Sequence, residues 1–443
     1  MITRRNVVLT SALLAGGCAS WHSEPSPQSG DFVQVNGQRL LLRGQPYRFV
    51  GTNMWYGAYM GSAGPTGDQE RLKRELDALQ ALGVTNIRVL GASELSPLKN
   101  SLKPAFRRPT PPYNEVLLEG LDFFMAEMAK RNMKAVIYLS NFWEWSGGFV
   151  TYQYWTNGGH YINLGDPAHP WPEFAILSAE FYVSKPANAL YRDYVTTLIT
   201  RRNTITGVAY RDDPAVMSWQ LANEPRPGGN MATANIDSFY SWVSDTSAFI
   251  KSLDRNHLVS TGNEGLRGCL DSEDVFERLN ALQGVDYMTF HIWPLNWSWI
   301  DSRNLAQTFE PCESSTKEYI DIHMRAAARV NKPAVAEEFG FVRDGGLNAP
   351  SAPTTYRDRF YKLIFDAVED STKAGGPFAG TNFWAWGGEG HAQHPDFAMR
   401  AGDTSYLGDP PQEPQGRNSV LKTDRSTLEL IRNHATRLHA VVA

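Results

Sequence analysis

Two short runs in this 443-residue chain place carboxylates where they could do chemistry: Asn223-Glu224-Pro225 and Glu337-Glu338-Phe339-Gly340. Each closes a β-rich run, Val216–Leu221 and Ala334–Glu338. Other runs of that kind end at or beside Asn53, Arg88, Asn141, His291 and Trp384. A carboxyl pair can divide a displacement at an acetal carbon: one protonates the leaving oxygen, and the other attacks or activates water. One glutamate at a strand end is more often a salt-bridged cap. Two of them, with Asn, Arg, His and Trp at neighbouring strand ends, favour chemistry. Retention needs the carboxyls about 5–5.5 Å apart and inversion roughly 6.5–9.5 Å, and chain spacing does not choose between them. Adjacent strand residues face opposite sides, so Glu337 and Glu338 are not both expected in one cleft. The chain has no His-Glu-x-x-His run and no Cys/His cluster, so no metal or cofactor is expected.

The elements that must position these residues alternate. Strands are predicted at Arg48–Thr52, Asn86–Leu90, Ala135–Leu139, Val216–Leu221, Leu258–Thr261, Tyr287–His291, Ala334–Glu338 and Gly380–Trp384. Amphipathic helices are predicted between them, among them Asp68–Leu82, Val116–Arg131, Ala187–Arg202, Ile236–Leu253, Lys317–Val330 and Tyr356–Ser371, with a last one at Ser426–His439. Eight strand–helix alternations indicate an α/β fold, a single (β/α)8 barrel. An open doubly wound sheet would carry a Gly-rich phosphate loop after its first strand, and Gly51-Thr52-Asn53-Met54-Trp55 is not one. Ahead of the barrel, Asn36-Gly37 between apolar runs predicts a β-hairpin. The connections 91–114, 140–186 and 385–424 are long and all follow strands, so they crowd the C-terminal face, where function concentrates.

Composition narrows the partners. The net charge of -5 disfavours nucleic acid, which selects basic surfaces. The 13 Trp and 18 Tyr suit ligands with flat C–H faces, because aromatic rings combine an apolar face with a polar edge. Trp55, Trp143, Trp145, Trp293, Trp297 and Trp384 fall at or just after strand ends and are expected to line a cleft, whereas mid-strand Trp219 is expected in the core.

Met1 to Arg5 is basic, and Val7 to Ala15 is apolar but too short to span a bilayer. Thr3-Arg4-Arg5-Asn6-Val7-Val8 has the look of a twin-arginine signal. Ala15-Gly16-Gly17-Cys18 resembles a lipobox, although Leu14 sits one position early, so ordinary cleavage stays open. The expected organisation is an export signal over 1–18, a flexible tether over 19–30 and a catalytic barrel over 31–443. The expected location is periplasmic, outer-membrane-anchored through Cys18, or extracellular. Cys269 and Cys312 are then a pair that an oxidising compartment would allow to bond.

The runs Trp219-Gln220-Leu221-Ala222-Asn223-Glu224-Pro225 and Lys332-Pro333-Ala334-Val335-Ala336-Glu337-Glu338-Phe339-Gly340 resemble glycoside hydrolase family 5, closest to its β-mannanases and related bacterial β-mannosidases. Gly51 to Tyr56, Asn86 to Val89 and Ser140 to Gly148 resemble that family's first strand, second strand and third loop. The resemblance implies that Glu224 is the acid/base and Glu338 the nucleophile of a retaining enzyme without a metal. It implies that Arg88 holds Glu338 charged by lowering its pKa, that Asn223 binds the sugar 2-hydroxyl, that His291 lies near the acid/base and that Trp384 forms the floor. Asn141, Trp143 and Trp55 would complete the substrate site. The substrate implied is β-mannan or manno-oligosaccharide, cut within the chain or from its end; a β-1,4-glucanase and a non-cutting polysaccharide-binding lipoprotein are the alternatives. The sequence departs from the family at Trp293, where members carry a tyrosine that hydrogen-bonds the nucleophile. An indole can donate but neither accept nor ionise, so Trp293 either takes over that bond or becomes a sugar-stacking wall.

Overall fold

A computed structural model describes residues 29–164 and 166–442. The signal, Cys18 and nearly all of the tether lie outside the described residues. Eight parallel strands form the centre: β1 Phe49–Asn53, β2 Asn86–Leu90, β3 Lys134–Tyr138, β4 Val216–Gln220, β5 Leu258–Ser260, β6 Met288–Ile292, β7 Ala334–Phe339 and β8 Phe378–Phe383. Their spatial order is β5-β4-β3-β2-β1-β8-β7-β6. The β5–β6 seam has no ladder; it is closed by Asp286 N–H to the Val259 carbonyl at 2.8 Å and His291 N–H to the Glu264 carbonyl at 3.0 Å. This is the expected (β/α)8 barrel, and predicted strand ends agree to within about two residues.

The helices form because apolar positions recur on one face. In Gln69–Ala81, for example, Leu72, Leu76 and Leu79 are buried, and the Asp68 carboxylate caps the N-terminus by accepting from Arg71 N–H. The helix predicted from Lys317 begins twelve residues earlier, at Leu305, and carries Pro311. Its register is continuous because the first turns bury Leu305, Phe309 and Cys312. The 140–186 connection contains helices Gly148–Thr156 and Glu173–Ala179, and the 385–424 connection holds a two-stranded parallel pair, Trp386–Gly388 with Val420–Leu421.

The predicted hairpin is part of a three-stranded antiparallel sheet, Gln34–Asn36, Arg39–Leu42 and Gln45–Pro46. Gly37 takes a positive φ of 57° at its turn. Val33 and Leu40 pack there against Phe49, Met217 and Val335 from the strands, so this sheet plugs one end of the barrel. The other end, at the strand C-termini, is left for ligand. No helix among the described residues is long and apolar enough to cross a membrane.

Cys269 and Cys312 are free and buried, which corrects the disulfide expectation. Cys269 lies in the loop after β5 with its sulfur 3.5 Å from Asn263 Oδ1, while Cys312 sits on the long helix beside Thr316. Burial pushes the Cys312 thiol up to about 11, so neither environment favours the reactive thiolate.

Candidate active site

Glu224 follows β4 in the left-handed region, with φ 52°, a conformation that costs energy in a non-glycine residue. Its backbone is pinned on both sides: Asn223 N–H donates to the Ser140 carbonyl and Glu224 N–H to the Gly262 carbonyl, each at 2.8 Å. The carboxyl therefore leaves the strand axis and turns into the barrel mouth. Its Oε2 accepts from the Trp143 indole N–H at 2.5 Å, and its Oε1 lies 2.6 Å from His291 Nδ1.

Glu338 comes from the opposite side. Arg88, wholly buried on β2, donates to Glu338 Oε1 at 2.5 Å, to Asn223 Oδ1 at 2.8 Å, to Asn53 Oδ1 at 3.2 Å and to Gln220 Oε1 at 2.8 Å. The guanidinium fork thus ties β1, β2, β4 and β7 into one unit. Trp293 Nε1–H donates to Glu338 Oε2 at 3.2 Å, so the indole makes the bond that a tyrosine hydroxyl would make, and it also lines the cleft.

Ligand-type atoms of Glu224, His291 and Glu338 lie within 4.8 Å of one another; among the described residues they are the group of three that could hold a cation. Burial raises both carboxyl pKa values. For Glu338 the Glu224 charge adds to the rise; Arg88 lowers the pKa as expected, but burial and Glu224 outweigh it. Carboxyls this close titrate as a pair and keep one proton above the ordinary carboxylate range. The Arg88 guanidinium on Glu338 favours its ionised form. Burial holds His291 well below its ordinary pKa, hence neutral.

The cleft above these groups has a volume of about 770 Å³. Asn223, Glu224, Glu338, Trp143, Trp293 and Trp384 line it, as expected. Trp145 and Trp297 do too, and Trp219 is in the core. Four expectations are corrected. Arg88 and His291, expected in the substrate site, are fully buried beneath the two carboxyls and do not line the cleft. Trp55 is fully buried, its Nε1–H given to the Gly408 carbonyl at 3.0 Å, so it supports the last loop from below. Asn141 is also buried; its Oδ1 accepts from Trp143 N–H at 3.0 Å and Asn223 Nδ2–H at 3.2 Å, which orients two cleft residues without reaching the cleft.

Several cleft residues escaped the sequence reading. Arg226, two residues after Glu224, stacks over Trp143 and Trp171 and pairs with Glu264, which also accepts from Trp297 Nε1–H at 3.1 Å. Its place directly after Pro225 was the available signal. Glu413, in the 385–424 connection, lines the cleft, and burial pushes its carboxyl up to about 7. Asp409 holds that loop by accepting from Gly416 N–H and Asn418 N–H, both at 2.8 Å.

An eight-stranded parallel barrel with two buried carboxyls facing each other from the ends of its fourth and seventh strands is a glycoside hydrolase site. Residues 30–442 match the family described as glycoside hydrolase family 5 beta-mannosidase-like. The chain is 29% identical to mannan endo-1,4-beta-mannosidase 1 of Arabidopsis thaliana, over 80% of this chain and 81% of that protein. It superposes on the family 5 mannosidase from Rhizomucor miehei with a TM-score of 0.85 and 32% identity, covering 94% of this chain and 99% of that one. The endo-1,4-beta-mannanase from Rhizomucor miehei shares the fold at a TM-score of 0.66 and 24% identity, covering 92% and 99%. The chain belongs to glycoside hydrolase family 5, in its β-mannosidase-like group.

Proposed function

We propose that this enzyme hydrolyses β-1,4-mannosidic bonds in mannan or manno-oligosaccharides with net retention, by double displacement. The observation that carries the mechanism is the Glu224–Glu338 approach within 4.8 Å. One oxygen from each carboxyl coming that close fits the roughly 5–5.5 Å carboxyl separation of retaining pairs better than the roughly 6.5–9.5 Å of inverting ones. Glu338, ionised against Arg88, attacks the anomeric carbon as Glu224 gives its proton to the leaving oxygen. Glu224, now a carboxylate, then takes a proton from water, which displaces Glu338 from the sugar. Asn223 Nδ2 donates one proton to Asn141 and keeps a second for the sugar 2-hydroxyl, a contact that strengthens in the transition state. Trp384 and Trp293 meet edge to face at 5.8 Å and form the floor and wall beneath the reacting sugar.

A second reading concerns where along the polymer the cut falls. The 0.85 superposition on a mannosidase supports removal of sugars from the chain end. So does a cleft volume of about 770 Å³, inside the roughly 300–1,000 Å³ range of discrete ligand pockets. Products from linear mannan and borohydride-reduced mannohexaose, followed over time, test both readings. Mannose alone from the earliest points means end-on action, and mid-length oligosaccharides mean internal cleavage. Release from β-1,4-glucan with none from mannan refutes the mannan assignment, and binding without cleavage of either refutes the catalytic one. Glu224→Ala and Glu338→Ala are each expected to remove most turnover of mannobiose.

The basic and apolar residues before position 18 support export, with Cys18 as a lipid-bearing or cleaved residue. Intact mass of the protein recovered from a bacterial host's envelope and medium tests this; an unprocessed cytoplasmic product would refute it.

A further inference from the structure

Glu337 and Glu338 do not face opposite sides of the strand. The β7–β6 register pairs Ala336 with Phe290 and then Glu338 with His291, so Glu337 is the extra residue of a β-bulge. The bulge turns both carboxyls toward the barrel interior. Glu338 enters the cleft, while Glu337 lies fully buried beneath it. Glu337 Oε1 accepts from Gln220 Nε2–H and from the Tyr287 hydroxyl at 3.3 Å. Glu337 Oε2 has no hydrogen-bond partner among the described residues; Arg88 Nε lies 3.8 Å from it and His291 Nε2 4.0 Å. His291 Nε2 is likewise without a partner. Two buried, unpartnered polar atoms therefore face each other one layer under the reacting groups.

Other charged groups surround His291. Glu224 and Arg226 approach from the β4 end, Arg88 from β2, Glu338 from β7 and Glu264 from the loop after β5. The imidazole is neutral, because burial depresses its pKa, so it carries one N–H. A proton on Nδ1 would be donated to Glu224 and would favour the Glu224 carboxylate. Burial raises the Glu337 pKa, while Arg88, Gln220 and Tyr287 oppose that rise and favour the carboxylate; a proton on Nε2 then points at that carboxylate and frees Nδ1 to accept from a protonated Glu224. In a dry interior the attraction between an N–H dipole and a carboxylate 4.0 Å away is weakly screened.

We propose that Glu337 is a positioning residue that fixes His291 as the Nε2–H tautomer, so that Nδ1 accepts from Glu224 and the acid/base rests in its protonated form. The proposal rests on the reading of Glu224 as the acid/base. Glu337 touches no substrate and acts through His291.

The test has a direct arm and a kinetic arm. ¹⁵N spectra of the wild-type enzyme, assigned against His291→Asn, report which ring nitrogen carries the proton. Nε2–H is expected, and Nδ1–H overturns the proposal even if no variant folds. Glu337→Gln keeps an oxygen under Gln220 and Tyr287 and turns an amide N–H toward His291 Nε2, which must then accept. The His291 proton moves to Nδ1, and the basic limb of kcat/KM for mannobiose moves to lower pH by about one unit, roughly a tenfold loss on that limb. Dinitrophenyl β-mannoside, whose leaving group needs no proton, is expected to lose less than about threefold in kcat/KM. Equal losses on both substrates, with an unmoved limb, overturn the proposal. Full mannobiose turnover by Glu224→Ala would instead refute the acid/base assignment, whatever the tautomer.

Discussion

Trp293→Phe isolates the bond that this chain makes with an indole. Glu338 Oε2 loses its donor at 3.2 Å, while Arg88 stays on Oε1. A hydrogen bond to a charged group contributes about 1.5–3 kcal/mol, and one to a neutral group about 1. The bond strengthens when Glu338 ionises, so its loss raises the Glu338 pKa. A difference of about 1 kcal/mol corresponds to roughly 0.7 pKa unit at about 1.36 kcal/mol per unit. The acid limb of kcat/KM should therefore move to higher pH by about 0.5–1 unit, and kcat/KM at the optimum should fall about fivefold. The profile is measured on an aryl β-mannoside from pH 3.5 to 8, with a thermal melt to show that the fold holds. Trp293 also touches the cleft, and lost sugar contact raises KM without moving the limb, so the two roles separate. An acid limb within 0.2 unit of wild type would refute the claim that the indole holds the nucleophile. Trp293→Tyr returns a donor and is expected to recover part of the shift.

Gly262 has φ +72°, and a Cβ there would sit 2.1 Å from the Ala222 carbonyl, just ahead of Glu224; Gly262→Ala should cost about 1–3 kcal/mol in urea unfolding and lower kcat, because Glu224 N–H hangs on the Gly262 carbonyl. Glu94 is fully buried, and burial pushes its carboxyl to about 7 in the fold, above an ordinary 4.5. Its stabilising contribution is complete below about pH 4.5 and is lost as pH rises through about 7, about 3 kcal/mol at most. Urea midpoints of wild type and Glu94→Gln should therefore converge or cross over that window; parallel curves would refute the burial argument. Cys269 and Cys312 should resist iodoacetamide in the native enzyme and react fully in denaturant without a reductant, as peptide masses would show.

Much of the site was legible in the chain because local patterns constrain it. The period of eight strand–helix units defines a barrel, and the barrel puts every strand end on one face, so Arg88, Asn223, Glu224, His291 and Glu338 could be gathered before any coordinate was known. Trp219 could be assigned to the core for the same reason. Helices inside the 140–186 connection were less visible, since their apolar residues answer to partners distant in sequence: Phe149 packs on Phe181 and Trp242, Tyr152 on Phe181 and Tyr191, and Phe174 on Phe142 and Trp143.

Tertiary structure decided which strand-end residues reach the ligand. Trp55 and Asn141 occupy the right ends but turn into the protein, because the last loop needs a support and Trp143 needs an orienting partner. Arg226 and Glu413 reach the cleft from loops whose paths no periodicity encodes. In a regular strand the adjacent Glu337 and Glu338 would alternate between faces. That rule holds for a regular ladder, and here a one-residue bulge breaks it, so both carboxyls share Arg88. Residue types and order determined that a carboxyl pair meets in a barrel mouth. Register, burial and the charges packed around each carboxyl are properties of distant strands brought together, and only the fold could set which one is held ionised and which keeps the proton.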